Sequence, residues 1–323
     1  MKISVGLIVY NGARYMCTQL DSILAQTQTV DEIIICDDAS SDTTKEILEE
    51  YKKNYPNLFF LHYNNKNIGA TKNIEKAIKA CSGDIILLAD QDDYWESNKV
   101  ETILKWFEAN PTMNGVFTNG SLMNSNEILD RKYGLWDVMS FPYKTIRSET
   151  ELNNSLKLYI NTVENAVTGA TLAIRNNLPF LKQPFPLIKH LVHDRWLAMN
   201  LAKTNSLGIL NQKLIRYRIH SNQAIGGKTK NIEKYIELNA NLLEGKPNIN
   251  NSIDCFKDLR YILNKIETNL QIQNEISKIE NKELDNANYI AILKNKQKIY
   301  LEYGFKKWPI LSGLRKFKKL FTA

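Results

Sequence analysis

The stretch LLADQDDYW, residues 87–95, sets Asp90, Asp92 and Asp93 directly behind an apolar run, where three like charges repel one another unless something positive joins them. Such a cluster suits a cation, which would relieve the repulsion. A solvated acidic turn is the plainer alternative, but it explains three acids poorly after IILLA. Asp37 and Asp38 end a second apolar run, EIIIC, and lead into ASSDT, whose small oxygen-bearing side chains also suit the cap of a helix starting near Thr43. His193 and Asp194 open HDRW. An aspartate there can act as a general base, or can simply be the acid that a helix N-terminus favours. Arg216, Arg218 and His220 alternate along LIRYRIH. A guanidinium fork fits phosphate oxygens and an imidazole can bind a metal, yet alternation alone also puts all three on one strand face.

Positioning these groups requires a regular frame, and the first hundred residues read as one. Apolar runs (ISVGLIV, EIIIC, LFFLHY, DIILLAD) alternate with helical patterns, the first carrying Met16, Leu20, Ile23 and Leu24 on one face. Near-continuous Ile/Leu/Val strands separated by helices predict a parallel sheet covered on both faces, with ligands beyond the carboxyl ends of the strands. Tyr10 and Asn11, Asp37 and Asp38, and Asp90 to Asp93 would then share one edge. Residues 114–165 are less periodic and read as an excursion over the sheet. VTGATLAI reads as a strand, HDRWLAMNLAK as a helix and LIRYRIH as another strand. After Gly227 the chain turns rich in Asn, Lys, Glu, Ile and Leu, and Phe256, Leu259, Leu263 and Ile266 recur at helical spacing.

Several classes are disfavoured. With 323 residues, 43% of them hydrophobic, the chain can bury a large core. Its four cysteines form no CxxC pair or zinc pattern, so neither a disulfide framework nor a structural zinc is expected. No P-loop and no GxGxxG turn occurs, and no run approaches the roughly 20 apolar residues that span a bilayer. MKISVGLIVYNG reads as a first strand rather than a signal peptide.

In order, SVGLIVYNG, SILAQTQTVDEIIICDDASSDTT, NIGATKNIEKAIKACSGDIILLADQDDYW, VTGATLAI, HDRWLA and YRIHSNQAIGG resemble the inverting nucleotide-sugar glycosyltransferases of family 2, in particular the bacterial rhamnosyltransferase-like branch. The resemblance covers residues 3 to about 227. It implies an α/β GT-A fold, a Rossmann-like mixed sheet flanked by helices, over residues 1–227, with a helical C-terminal region at 228–323. It also implies that Tyr10, Asn11, Asp38, Lys72, Asn73, Asp90 and Asp92 bind the donor nucleotide. Asp38 would accept the imide N–H of a pyrimidine, Asp90 would lie near the ribose, and Asp92 with His220 would hold the divalent cation, magnesium or manganese, which takes one or two carboxylates plus phosphate oxygens. Asp194 matches the catalytic base, although many relatives carry Glu rather than His before it. Asp93, His193, Gly169 and Arg218 are accessory candidates. A capped helix start for Lys72 and Asn73, a packed strand for Gly169 and a structural histidine at 193 are the plain alternatives. Trp95, Trp136 and Trp196 could stack on sugars, but core packing is the default for tryptophan.

The expected activity is transfer of a sugar, from thymidine-diphosphate rhamnose or a uridine-diphosphate hexose, to a hydroxyl of a growing, lipid-linked surface glycan. A non-catalytic nucleotide-sugar or glycan-binding protein of the same fold is the rival; it would be free to lose Asp92 or Asp194, and both are present. A nucleotidyltransferase would need a basic glycine-rich loop where VYNGARY stands. The net charge of +7 is concentrated at the end, where the last twenty residues carry six basic side chains and no acid. Residues 305–321 interleave these with Phe, Trp, Leu and Ile, as in a segment lying on an anionic membrane surface. The expected location is cytoplasmic, peripheral at the inner face of the plasma membrane. No nucleic-acid module accompanies the charge, and nothing in the sequence fixes an oligomeric state.

Overall fold

A computed structural model describes residues 1–124, 127–130, 132–141, 143, 149–220, 232–245, 247, 255–280 and 283–307. The elements are β1 (Ile3–Val9), α1 (Ala13–Leu24), β2 (Glu32–Asp37), α2 (Thr44–Asn54), β3 (Phe59–Tyr63), α3 (Ala70–Ala80), β4 (Ile85–Ala89), β5 (Tyr94–Trp95), α4 (Lys99–Ala109), β6 (Gly115–Asn124), β7 (Glu127–Asp130), α5 (Leu135–Val138), α6 (Glu149–Thr162), β8 (Leu172–Arg175), α7 (His193–Lys203), β9 (Leu207–Arg218), α8 (Ile232–Glu244), α9 (Cys255–Glu280) and α10 (Glu283–Lys307). They fall into two compact units.

The first unit comprises Met1–Trp136, Val167–Leu187 and Val192–Gly227. Isoleucine, leucine and valine fill β1, β2 and β4, and every residue of β2 and β4 is buried, as a strand covered on both faces requires. Among the described residues the sheet has nine strands in the order β3-β2-β1-β4-β8-β6-β9-β5, with β7 beside β6. The β3-β2-β1-β4 half is parallel, as the sequence predicts. Beyond β4 the sheet is mixed: β8 runs antiparallel to β4 and β6, β9 parallel to β6, and β5 antiparallel to β9. Met16, Leu20 and Ile23 of α1, Ile74 and Ile78 of α3, Ile103 and Phe107 of α4, and Leu197 and Leu201 of α7 are buried. Trp95, Trp136 and Trp196 are all buried too, in keeping with the plain reading of each.

Two predictions fail locally. The stretch 114–165, read as an excursion, contains the ten-residue strand β6 and the fourteen-residue helix α6. Glycine hides β6: a Cβ on Gly115 would stand 2.5 Å from Leu201 Cδ1, and one on Gly120 2.9 Å from Ile215 Cγ1. Close packing, rather than a turn, demands those glycines. VTGATLAI is only half strand, because Gly169–Thr171 forms a short 3-10 turn before β8 begins at Leu172.

The second unit gathers Asp137–Ala166 and Ile188–Leu191 with Lys228–Ala323, so two stretches inside the expected 1–227 span fall with the C-terminal helices. The amphipathic face of α6 explains this: Leu156, Tyr159 and Ile160 are buried, and α6 packs against α8, α9 and α10. Leu259, Leu263 and Ile266 of α9 are buried, as their spacing predicts. Asn239 donates to the Ser140 carbonyl and to Tyr159 Oη, each at 3.1 Å, and Gln273 donates to the Asn161 carbonyl at 2.9 Å. The side chain of Phe256 and, from residue 308 on, the basic segment expected over 305–321 lie outside the described residues. No described helix is long and apolar enough to cross a membrane.

Candidate functional site

The carboxyl ends of β1, β2 and β4 share one edge of the parallel half, and the start of β8 and the end of β9 come to the same edge. Gln91, which the sequence reading passed over, ties two of these ends together. Its side-chain oxygen accepts the Tyr10 N–H at 2.8 Å and its amide nitrogen donates to the Tyr10 carbonyl at 3.1 Å. Gly12 leaves room for it, since a Cβ there would stand 2.5 Å from the Gln91 oxygen. Tyr10 itself is half exposed at the rim. Asn11, at a positive φ of 49°, accepts the Ser41 N–H at 2.8 Å and so binds the end of β1 to the loop after β2.

Asp38 is buried and heavily engaged. One oxygen accepts from the Asn64 amide at 2.9 Å and the Ile68 N–H at 2.8 Å, and the other accepts the Gly69 N–H at 2.8 Å. A carboxylate offers about four acceptor positions, so three are used in folding the loop that leads to α3. Gly69 has a φ of 84° in that loop, which favours glycine. Lys72 donates to Glu75 at 2.8 Å and to the Phe185 carbonyl at 3.0 Å, while Asn73 donates to the Cys36 carbonyl at 2.7 Å. Both fasten α3 to its neighbours.

The acidic loop after β4 meets the end of β9. Pairing of Tyr94 with Arg216 continues back toward Asp93 and Arg218. The Arg218 N–H donates to Asp93 Oδ1 at 3.0 Å, and its Nε donates to the Asp92 carbonyl at 2.6 Å. The Arg218 guanidinium lies 4.4 Å over the Tyr15 ring, and the His220 ring is 5.2 Å from the same ring. Arg218 is buried and organises the loop from within, whereas Arg216 pairs with Glu96 through two hydrogen bonds of 2.7 and 3.0 Å. Asp92 Oδ2 and His220 Nε2, 128 positions apart in sequence, stand 2.8 Å apart.

Two donors bound to one octahedral magnesium or manganese ion stand about 3 Å apart, so this pair fits. The described residues offer no group of three or more such side chains, which leaves further positions on an ion to water or phosphate. Nearby acids are crowded. Burial raises Asp90, and the charges of Asp92 and Asp194 raise it further. Asp93 is raised by burial, Asp92 and Asp90, and its Oδ2 is buried without a hydrogen-bond partner. Beneath them lies Lys99, a second residue the sequence reading missed, although Lys99, Ile103 and Phe107 form one helical stripe and all are buried. Burial pulls the Lys99 ammonium down to about 7, against the pull of Asp93 and Asp90.

Asp194 sits in the first turn of α7. Its Oδ2 accepts the Gly169 N–H at 3.2 Å and its Oδ1 accepts the Arg195 N–H at 2.6 Å. Burial raises its pKa in spite of His193 and these two N–H groups. Burial lowers the pKa of His193, whose Nδ1 is buried without a hydrogen-bond partner. A Cβ on Gly169 would come within 3.0 Å of His193 Nε2, and glycine therefore lets the turn lie against the start of α7.

The sequence profile of Glycosyl transferase family 2 matches residues 4–165. The chain belongs to this family. Curated relatives of this family 2 chain include the chondroitin synthase of Escherichia coli, 28% identical over 67% of this chain and 33% of that protein. Another is the poly(ribitol-phosphate) beta-glucosyltransferase of Bacillus spizizenii, 37% identical over 39% of this chain and 20% of that one. The chain thus matches a third or less of the length of these relatives. Among solved structures, residues 1–349 of Staphylococcus aureus TarS in complex with UDP superpose with a TM-score of 0.55 at 17% identity, covering 94% of this chain and 91% of that one. The same TarS fragment is also known with UDP-GlcNAc. The mannosyltransferase PcManGT of Pyrobaculum calidifontis, in complex with GDP-Man and Mn2+, gives 0.51 at 14% identity, covering 95% and 87%. The family 2 chain accordingly has the GT-A fold, with a helical C-terminal region.

Proposed function

We propose that this protein transfers a sugar from a nucleoside-diphosphate donor to a hydroxyl of a glycan, with inversion, and that Asp194 is the general base. The observation that carries this reading is the convergence on one sheet edge of Asp92 with His220, the crowded Asp90 and Asp93, and a buried Asp194 of raised pKa. Asp92 and His220 would hold a divalent cation. When bound, the cation supplies positive charge to the diphosphate as the sugar leaves. Asp90 and the rim residue Tyr10 would face ribose and base, and the remaining acceptor position of Asp38 would meet the nucleobase. Asp194 would take the acceptor hydroxyl proton as that oxygen attacks the anomeric carbon from the side opposite the diphosphate. Its raised pKa makes it a stronger base than an exposed aspartate, and the N–H groups of Gly169 and Arg195 fix its orientation.

A uridine-diphosphate hexose is the donor we put first, because the TarS structures hold UDP and UDP-GlcNAc and the curated relatives include a glucosyltransferase. Thymidine-diphosphate rhamnose stands second, since thymine presents the same imide edge. The basic segment 305–321 is proposed to bring the enzyme to an anionic membrane surface on the cytoplasmic side, where a lipid-linked acceptor would be met.

The test is turnover of UDP-glucose, UDP-GlcNAc and dTDP-rhamnose, each with and without manganese, followed by release of the nucleoside diphosphate. Manganese-dependent release from one of them is expected. Release from none, with or without metal, refutes the enzyme and favours a binding protein of the same fold.

A further inference from the structure

Lys99 has chemistry that the reading above does not use. It is 1% exposed, and it opens α4, at the helix end where a cation is disfavoured. Burial of an ammonium there needs compensation. Its Nζ donates to the Ala170 carbonyl at 2.7 Å and lies 4.0 Å over the Trp95 ring. Ala170 is the middle residue of the Gly169–Thr171 turn, and the Gly169 N–H of that turn donates to Asp194 Oδ2. The charges of Asp93 and Asp90 favour its protonated form against burial. One buried amine therefore touches the turn that supports the base.

We infer that Lys99 is a positioning residue for transfer: it tethers the Gly169–Thr171 turn, and through it Asp194, to the start of α4 and the ring of Trp95 that follows the acidic loop. The inference rests on Asp194 being the base. Within the turn the Thr171 N–H and Oγ1 both return to the Thr168 carbonyl, and the Gly169 N–H reaches Asp194 of α7. The tether gives it a fixed partner in a different element.

The experiment uses the full chain with Lys99→Met, which keeps length and apolar volume but removes donor and charge. Hydrogen exchange of the backbone over 168–172 is expected to quicken on the order of tenfold, with the strands Ile3–Val9 and Ile85–Ala89 unchanged. In transfer from the active donor, kcat is expected to fall on the order of tenfold while KM for the donor stays within about twofold. Unchanged protection over 168–172 overturns the tether, and an unchanged kcat overturns its part in transfer. If Lys99→Met does not fold, the double variant Lys99→Met with Asp93→Asn removes both charges, and the same loss of protection is expected of it. Turnover that survives Asp194→Asn would instead overturn the base assignment, and with it the role of Lys99 in transfer, while the exchange measurement still decides the tether.

Discussion

At the scale of single residues, the contact between Asp92 and His220 separates this edge from an ordinary acidic loop. Neither residue is buried, and each is exposed enough to exchange its partner for an ion. Asp92→Asn removes the carboxylate of the pair and should abolish the gain in UDP affinity that manganese gives the wild type, about tenfold or more, while leaving metal-free UDP binding unaltered. Calorimetric titration of UDP with and without manganese reads this directly, and an undiminished metal effect in the variant would remove Asp92 from the ion. Asp92, Asp93, Asp194 and His220 were legible in the sequence as types with matching chemistry. Their company was not, because it comes from strand pairing: the antiparallel β5 and β9 bring residue 92 to residue 218. Gln91 and Lys99 were missed for a related reason. An amide between acids and a lysine at a helix start look like surface, and only the register of β1 with β4 and the inward face of α4 turn them into clamps.

At the scale of elements, the βα half was readable because its strands are long apolar runs and its helices keep one buried face. The β6 and α6 elements were not, since Gly115 and Gly120 break the strand pattern where neighbouring side chains press on the backbone. One clamp between elements is open to a quantitative test. Glu32, at the start of β2, accepts from Ser4 Oγ of β1 at 2.6 Å, from the Ser82 N–H at 2.6 Å and Oγ at 2.7 Å, and from Lys2 Nζ at 3.1 Å. Burial alone would raise its carboxyl, but these bonds outweigh burial and bring it down to about 2 from 4.5. Its folded value is thus depressed, so its contribution is complete above about pH 5 and disappears as pH falls toward 2. Glu32→Gln should cost on the order of 2 kcal/mol at pH 7. It should also flatten the fall of stability between pH 5 and 3. Urea unfolding at a series of pH values measures both, and a pH slope equal to that of the wild type would contradict the assignment.

At the scale of the whole molecule, the charge is as unevenly placed as the chemistry. The site occupies the first compact unit, while the basic excess lies in the last twenty residues, which begin in the last turn of α10 and run past its end at Lys307. If that segment meets an anionic surface, full-length protein should sediment with phosphatidylglycerol vesicles and do so less as salt rises. A chain ending at Lys307 should lose most of this binding, and equal sedimentation of the two would refute the role of the tail.

The central claim is that Asp194 takes the acceptor proton, and the conservative variant Asp194→Asn tests it most directly. It keeps the size of the side chain and an oxygen for the Gly169 N–H, but it cannot accept the proton. With the donor that the wild type uses and manganese present, UDP binding should stay within about twofold, while transfer falls by about 10²- to 10⁴-fold. Transfer within about twofold of the wild type would contradict the account.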